Sequence, residues 1–203
     1  DFVLQAVKSI APFLKKNNSI IIESTCPVGT TNKVRKLIIQ ETTLNQNDFH
    51  LAYCPERVIP GNILKEITTN ARVVGGYDSI STNKIKNFYK SFCEGEISET
   101  NASTAELVKL TENAYRDVNI AFANELSMVC DSLEINHNEL IDIANRHPRV
   151  SILQPGCGVG GHCIAVDPWF IASSVPDNTN LIQTARLVNN NKTEWVTSKI
   201  IQK

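Results

Sequence analysis

Residues 19–41, SIIIESTCPVGTTNKVRKLIIQE, decide the fold class. The β-branched run from Ser19 to Ser24 has the composition of a short buried strand. Proline and glycine then fall together in CPVGTT, the signature of a turn, and residues 31–41 read as a helix. The same alternation continues outward. FHLAYC (49–54) reads as a second strand ended by Pro55, ARVVGG (71–76) as a third, residues 79–95 as a helix and EISET (96–100) as a further short strand. Upstream, residues 2–16 place apolar side chains at helical spacing, with Pro12 set to kink or end a turn. Strands alternating with helices predict a parallel α/β sheet over the first hundred or so residues.

The pattern then changes. Ser103 and Glu106 make a capping-box signature, and from Ala105 to Ile135 the chain contains neither glycine nor proline. A helix of that length suits a spine or a subunit interface. Further helices are expected over 138–147, ending at Pro148, and over 179–202. The expected division is an α/β part, 1–100, and a helical part, 101–203.

Composition excludes several function classes. The chain has 203 residues, 42% of them hydrophobic and 20% charged, which is ordinary for a globular protein with a real core. A net charge of −1, without a lysine or arginine block, gives little support to a nucleic-acid or membrane surface. No apolar run approaches the ~20 residues of a membrane span. The opening DFVLQAVKSI is not a signal peptide, and a start at Asp1 reads as a piece of a longer protein. Six cysteines (26, 54, 93, 130, 157 and 163) are scattered without paired spacing, as expected of reduced cytosolic thiols.

The stretch QPGCGVGGHCIAVDPWF (154–170) carries the chemistry and is open to three interpretations. Gly156, Gly158 and Gly161 satisfy G-x-G-x-x-G, but a dinucleotide fingerprint needs a strand before it and a helix directly after it. Here Pro168 is expected to interrupt any helix, the surroundings are helical, and Leu181 and Ile182 stand near the expected acidic position. A metal would take Cys157, His162, Cys163 and Asp167, yet structural zinc ordinarily wants two paired knuckles. A reactive thiol needs exposure and room for substrate, which glycines beside Cys163 provide, with His162 and Asp167 near enough in sequence to assist proton transfer. The bland alternative is that Cys163 is a small buried hydrophobe.

With its flanking segments, PGCGVGGHCIAVDPWF resembles the nucleotide-sugar 6-dehydrogenases, the UDP-glucose and GDP-mannose dehydrogenase group. HCIAVDPWF is most similar to the branch acting on UDP-N-acetylmannosamine. ESTCPVGTT (23–31) resembles the family's S-T-x-P-V-G-T strand end, and CPERVIPGN (54–62) its P-E-x-x-x-x-G segment. AELVKLTENAYRDVNIAFANEL (105–126) resembles its K-x-x-x-N helix with a following N-E, here Asn124 and Glu125. The resemblance covers essentially the whole chain. It implies the second half of a Rossmann-like parallel-sheet domain, a helical central domain with one long helix, and a missing UDP-binding domain.

The activity so implied is oxidation of a sugar C6 alcohol to a carboxylate with two NAD, in precursor synthesis for surface polysaccharide in the cytoplasm. Cys163 is the implied nucleophile, forming a thiohemiacetal and then a thioester. Lys109 and Asn113, four apart and so on one helix face, are the implied oxyanion stabilisers; standing alone they would read as a solvated face. Thr25 and Asp167 resemble residues that position water or move the C6 proton, and Glu56 the base of thioester hydrolysis. Arg149 resembles an arginine reaching a neighbouring subunit's substrate, with a plain surface arginine as the alternative. His162, Gly160 and Gly161 would border the substrate, and Thr25, Val28 and Gly29 the cofactor. A homodimer through the long helix is implied, and no metal.

The sequence departs from the family pattern in places. Pro60 stands where glucose-type enzymes carry a second glutamate, which argues against glucose. Val166 replaces a lysine of some members, and Cys157 stands where proline is expected. With neither a Gly-rich βαβ start nor a UDP-binding domain, these 203 residues alone are expected to be inactive. The alternatives are a UDP-N-acetylglucosamine or other UDP-sugar 6-dehydrogenase, or a piece acting only as a dimerisation module.

Overall fold

The computed structural model describes residues 2–58 and 61–202. By its internal packing the chain divides into two compact units, 1–109 and 110–203. The first is built on a four-stranded sheet in the order β1 (Ser19–Ile22), β2 (His50–Tyr53), β3 (Arg72–Gly76) and β4 (Ile97–Asn101). β1 and β2 run parallel, with Ile20 opposite Leu51 and Ile22 opposite Tyr53; β3 and β4 also run parallel. The pairing of β2 with β3 is antiparallel, Ala52 against Gly76. The expected α/β class therefore stands, with a mixed rather than an all-parallel sheet.

Side chains alternate across these strands and fill a core on each face. Ile20, Ile22, Leu51 and Tyr53 pack with Val7, Val34 and Ile38, contributed by α1 (Phe2–Ile10) and α2 (Thr30–Glu41). Ala52, Cys54 and Val74 pack with Ile85 and Tyr89 of α4 (Ser79–Lys90). β2 is covered on both sides, which is why its residues read as an unbroken apolar run. Pro12 ends α1 at Ile10, and the chain continues as a 3-10 turn, Ala11–Phe13, instead of running helical to residue 16. α4 is capped by Asp78, whose carboxylate accepts from Ser81 N at 2.6 Å, and it stops at Lys90 short of the expected residue 95. A short helix absent from the sequence expectation, α3 (Ile63–Thr69), lies between β2 and β3.

The long helix is α5 (Ala102–Ser132), 31 residues. Its cap is not the expected one. Asn101 Oδ1 accepts from Thr104 N at 2.9 Å, while Glu106 turns into the core and is fully buried. The division between the packing units falls inside this helix, about two turns from its start. In the second unit α5 is followed by α6 (His137–Ala144), α7 (Asp167–Ser174) and α8 (Asn180–Ile201). α7 corrects the expectation that Pro168 forbids a helix: Pro168 sits in its first turn, where its missing N–H is not needed. No helix among the described residues is long and apolar enough to cross a membrane.

Gly75 lets the first turn of α5 lie against β3. A Cβ built there would come 2.6 Å from Ala105 Cβ, and nearer still to the Asn101 carbonyl oxygen. Gly75→Ala should therefore destabilise the fold by about 1–3 kcal/mol through overpacking, read as a lowered urea midpoint with an unchanged slope.

Candidate functional site

In the 1–109 unit the candidate residues lie after β1 and β2. The turn from Thr25 to Gly29 leads into α2 with Gly29 at φ +91°, a left-handed conformation that favours glycine at this N-cap. Glu106 Oε2 accepts from Gly29 N at 2.5 Å, and Oε1 accepts from Thr31 N and Thr31 Oγ1, both at 2.7 Å. A buried carboxylate thus occupies the positive end of α2, where a helix would otherwise attract an anion. The turn offers the half-buried Thr25, Val28 and Gly29 to a neighbour. These suit one edge of a dinucleotide site and not its pyrophosphate cradle.

Cys26 within this turn is buried, and burial, helped by the Glu106 charge and opposed by a Thr30 hydroxyl bond, pushes its thiol up to about 12. Glu56 follows β2 in a half-buried position and folds back on its own loop, accepting from Arg57 N at 2.6 Å and Val58 N at 3.0 Å. That holds a loop carboxylate in one orientation. Pro60 lies outside the described residues. Lys109 is half-buried on α5.

In the 110–203 unit the structure brings Asn113 and Asp167 together. Asn113 Nδ2 donates to Asp167 Oδ2 at 2.6 Å, and both residues are buried. The Cys163 carbonyl accepts from Val166 N at 3.0 Å and Asp167 N at 2.9 Å, so the backbone at the cysteine is locked to the start of α7. Its side chain remains exposed, which rules out the buried-hydrophobe alternative. His162 and Gly160 are exposed beside it, and Gly161 turns the chain at φ +89°. Arg149 is an exposed residue of the turn after α6, its N–H donating to His147 Nδ1 at 3.3 Å.

Among the described residues no group of three or more His, Cys, Asp and Glu is placed to hold a metal ion. The glycine loop has no strand before it in this unit, and α7 begins at Asp167 and not directly after Gly161. The dinucleotide interpretation does not find its structural context. One residue was misassigned from sequence: Glu106, taken as a local cap, instead buries its carboxylate on α2. Its signal is the spacing of Glu106, Asn113, Asp117 and Asn124, which places four buried polar residues along one stripe of α5.

Two family models match in chain order. Residues 1–93 match the NAD binding domain of the UDP-glucose/GDP-mannose dehydrogenase family, and residues 103–191 match its central domain. The chain belongs to that family. A UDP-N-acetyl-D-mannosamine dehydrogenase of Campylobacter jejuni is 52% identical over 100% of this chain and 52% of its own length. An NDP-N-acetyl-D-galactosaminuronic acid dehydrogenase of Ralstonia solanacearum is 49% identical over 99% of this chain and 49% of its own. The solved UDP-D-ManNAc dehydrogenase of Pyrococcus horikoshii superposes with a TM-score of 0.94 at 41% identity, covering 100% of this chain and 49% of that one. The chain spans about half the length of the relatives it matches.

Of the six cysteines, Cys26, Cys54, Cys93 and Cys130 are buried, while Cys157 and Cys163 are exposed. A thiol reagent should label two residues rapidly in the native protein and all six after denaturation, with Cys163→Ser leaving a single fast thiol. Peptide mapping by mass spectrometry reads the result.

Proposed function

We propose that this chain is the thiol-bearing part of an NAD-dependent nucleotide-sugar 6-dehydrogenase that converts UDP-N-acetylmannosamine to its uronate. The observation that carries this is the exposed Cys163, its backbone locked to α7, four residues before an Asp167 held by Asn113. Cys163 Sγ adds to the C6 aldehyde formed from the alcohol, giving a thiohemiacetal. Oxidation of that adduct gives a thioester, and water then releases the carboxylate and restores the thiol. NAD, when bound, accepts the hydride of each oxidation.

The protein's own groups move the protons and hold the charge. Asp167 keeps its carboxylate aligned through Asn113 and takes the proton of the C6 hydroxyl. Asn113 spends one amide N–H on Asp167 and directs the other, with the Lys109 ammonium one helical turn away, to the oxyanion. Glu56, oriented by its own loop amides, activates the hydrolytic water. Thr25, Val28 and Gly29 border the cofactor; His162, Gly160 and Gly161 border the sugar; and Arg149 serves the site of a second copy. The setting we infer is cytoplasmic synthesis of a surface-polysaccharide precursor. UDP-N-acetylglucosamine, the alternative from the sequence, and the N-acetylgalactosamine-type sugar in one relative's name are the competing substrates.

A homodimer through α5 is supported by the helix's outward face. Tyr115, Phe122 and Val129, seven apart, are 69%, 58% and 46% exposed and form an apolar stripe in the repeat that pairs helices.

At its full natural length the protein should produce two NADH per UDP-N-acetylmannosamine, faster than from the other two sugars. Cys163→Ala should stop short of the acid, and acid release at the parent rate by that variant would overturn the thioester route. Phe122→Glu with Val129→Glu should convert the dimer to monomer, as read by light scattering; an unchanged mass would remove α5 as the interface.

A further inference from the structure

Asp167 and the Cys163 carbonyl fix only the downstream end of the loop that carries the thiol. The upstream end is fixed by a different set of residues, to which the mechanism above assigns no role. Gly156 N donates to Asn124 Oδ1 at 2.8 Å. Asn124 Nδ2 donates in turn to Asn189 Oδ1 at 2.8 Å, and Asn189 Nδ2 donates to Asp117 Oδ1 at 2.8 Å and to the Asp117 carbonyl at 3.1 Å. Asp117 Oδ1 also accepts from Arg186 at 2.6 Å, and Arg186 reaches Asn190 Oδ1 at 2.7 Å. Asp117, Asn124 and Asn189 are fully buried and Arg186 is 2% exposed.

The direction of this chain of bonds is forced. A carboxylate can only accept, so Asn189 must turn its NH2 toward Asp117 and its oxygen toward Asn124. Asn124 must then spend its NH2 on that oxygen, which leaves its own oxygen facing Gly156 N. Flipping either amide breaks bonds at both of its ends, inside a core where an unmade bond costs the full desolvation of the group. Beside this relay, Thr193 Oγ1 donates to the Cys157 carbonyl at 2.9 Å. Gly158, at φ +125°, lies so close to α8 that a Cβ there would strike Thr193 Oγ1 and come 3.1 Å from the Asn189 carbonyl oxygen.

We propose that Asn124 and Asn189 are positioning residues for the Cys163 loop, setting its upstream end through the charge pair Asp117–Arg186, with Thr193 as a second tether. The proposal rests on Cys163 as the reacting thiol for its catalytic consequence, and on geometry alone for the tether. Asn189 touches neither the loop amide nor the thiol with its side chain, so its influence must pass through Asn124.

The test uses the full-length protein and two readouts. Amide hydrogen exchange at Gly156 needs no substrate; kcat and KM report the chemistry. Asn189→Ala should speed Gly156 exchange roughly tenfold and lower kcat by a similar factor, with KM for NAD unchanged. Thr193→Val, on an exposed residue and nearly isosteric, keeps the test open should the buried variant fail to fold; it should move both readouts roughly two- to tenfold in the same direction. Asn124→Ala combined with Asn189→Ala should be no worse than Asn124→Ala alone, because one relay carries both effects. Unchanged Gly156 exchange in folded Asn189→Ala or in Thr193→Val, or additive effects in the double variant, overturns the proposal. Faster exchange in a protein whose Cys163→Ala variant still makes acid would leave the tether standing and remove the thiol mechanism instead.

Discussion

A polar side chain taken out of water must be hydrogen-bonded inside the protein, and α5 turns that requirement into its organising principle. Its buried stripe holds Glu106, Asn113, Asp117, Asn124 and Ser127, interleaved with small residues such as Ala105, Ala114 and Ala121. Each polar group reaches a hydrogen-bond partner on another segment. Glu106 takes the start of α2, Asn113 takes Asp167, and Asp117 takes Arg186 and Asn189. Asn124 takes Asn189 and Gly156, and Ser127 receives Lys192 at 2.7 Å. The alanines let these partners come close. The helix thus departs from an ordinary amphipathic one, burying these polar groups beside its apolar ones and leaving Tyr115, Phe122 and Val129 outside.

Charges buried on α5, or on α8 against it, are stabilised in different ways. The Glu106 carboxylate is held by backbone N–H groups and a hydroxyl, and Arg186 by an ion pair with Asp117. Lys192 has a Ser127 hydroxyl and the face of Trp195, 4.0 Å from the ring centroid. Burial pulls its ammonium below the usual lysine range. Replacing one member of such a set strands the others, so these positions have few acceptable substitutes.

What the sequence made legible follows from local physics. β-branched residues marked β1 and β3, an apolar run ended by Pro55 marked β2, and a thirty-residue absence of helix breakers marked α5. Strand direction was not legible, because a period of two is the same either way, and the antiparallel β2–β3 pairing was missed. Pro168 misled because proline's effect depends on where in a helix it falls. Ser103 and Glu106 have the spacing of a cap, but Asn101 caps the helix and Glu106 is drawn to α2, 75 residues away from Thr31. The family resemblance pointed to Asn113 and Asp167 separately, and their direct bond across 54 residues was not legible. The relay from Asp117 to Gly156 joins segments whose spacing carries no local signal at all.

Gly158 has one more consequence. It is pressed against α8 at one end of the thiol loop, and Asp167 is bonded to α5 at the other. The eight residues between them therefore work as a ruler whose two ends are nailed down. Loops ordinarily absorb insertions and deletions at little thermodynamic cost. Here a single added or lost residue would leave both ends in place and shift Cys163 between them, so the place of this exposed thiol depends on the length of the loop as well as on its anchors.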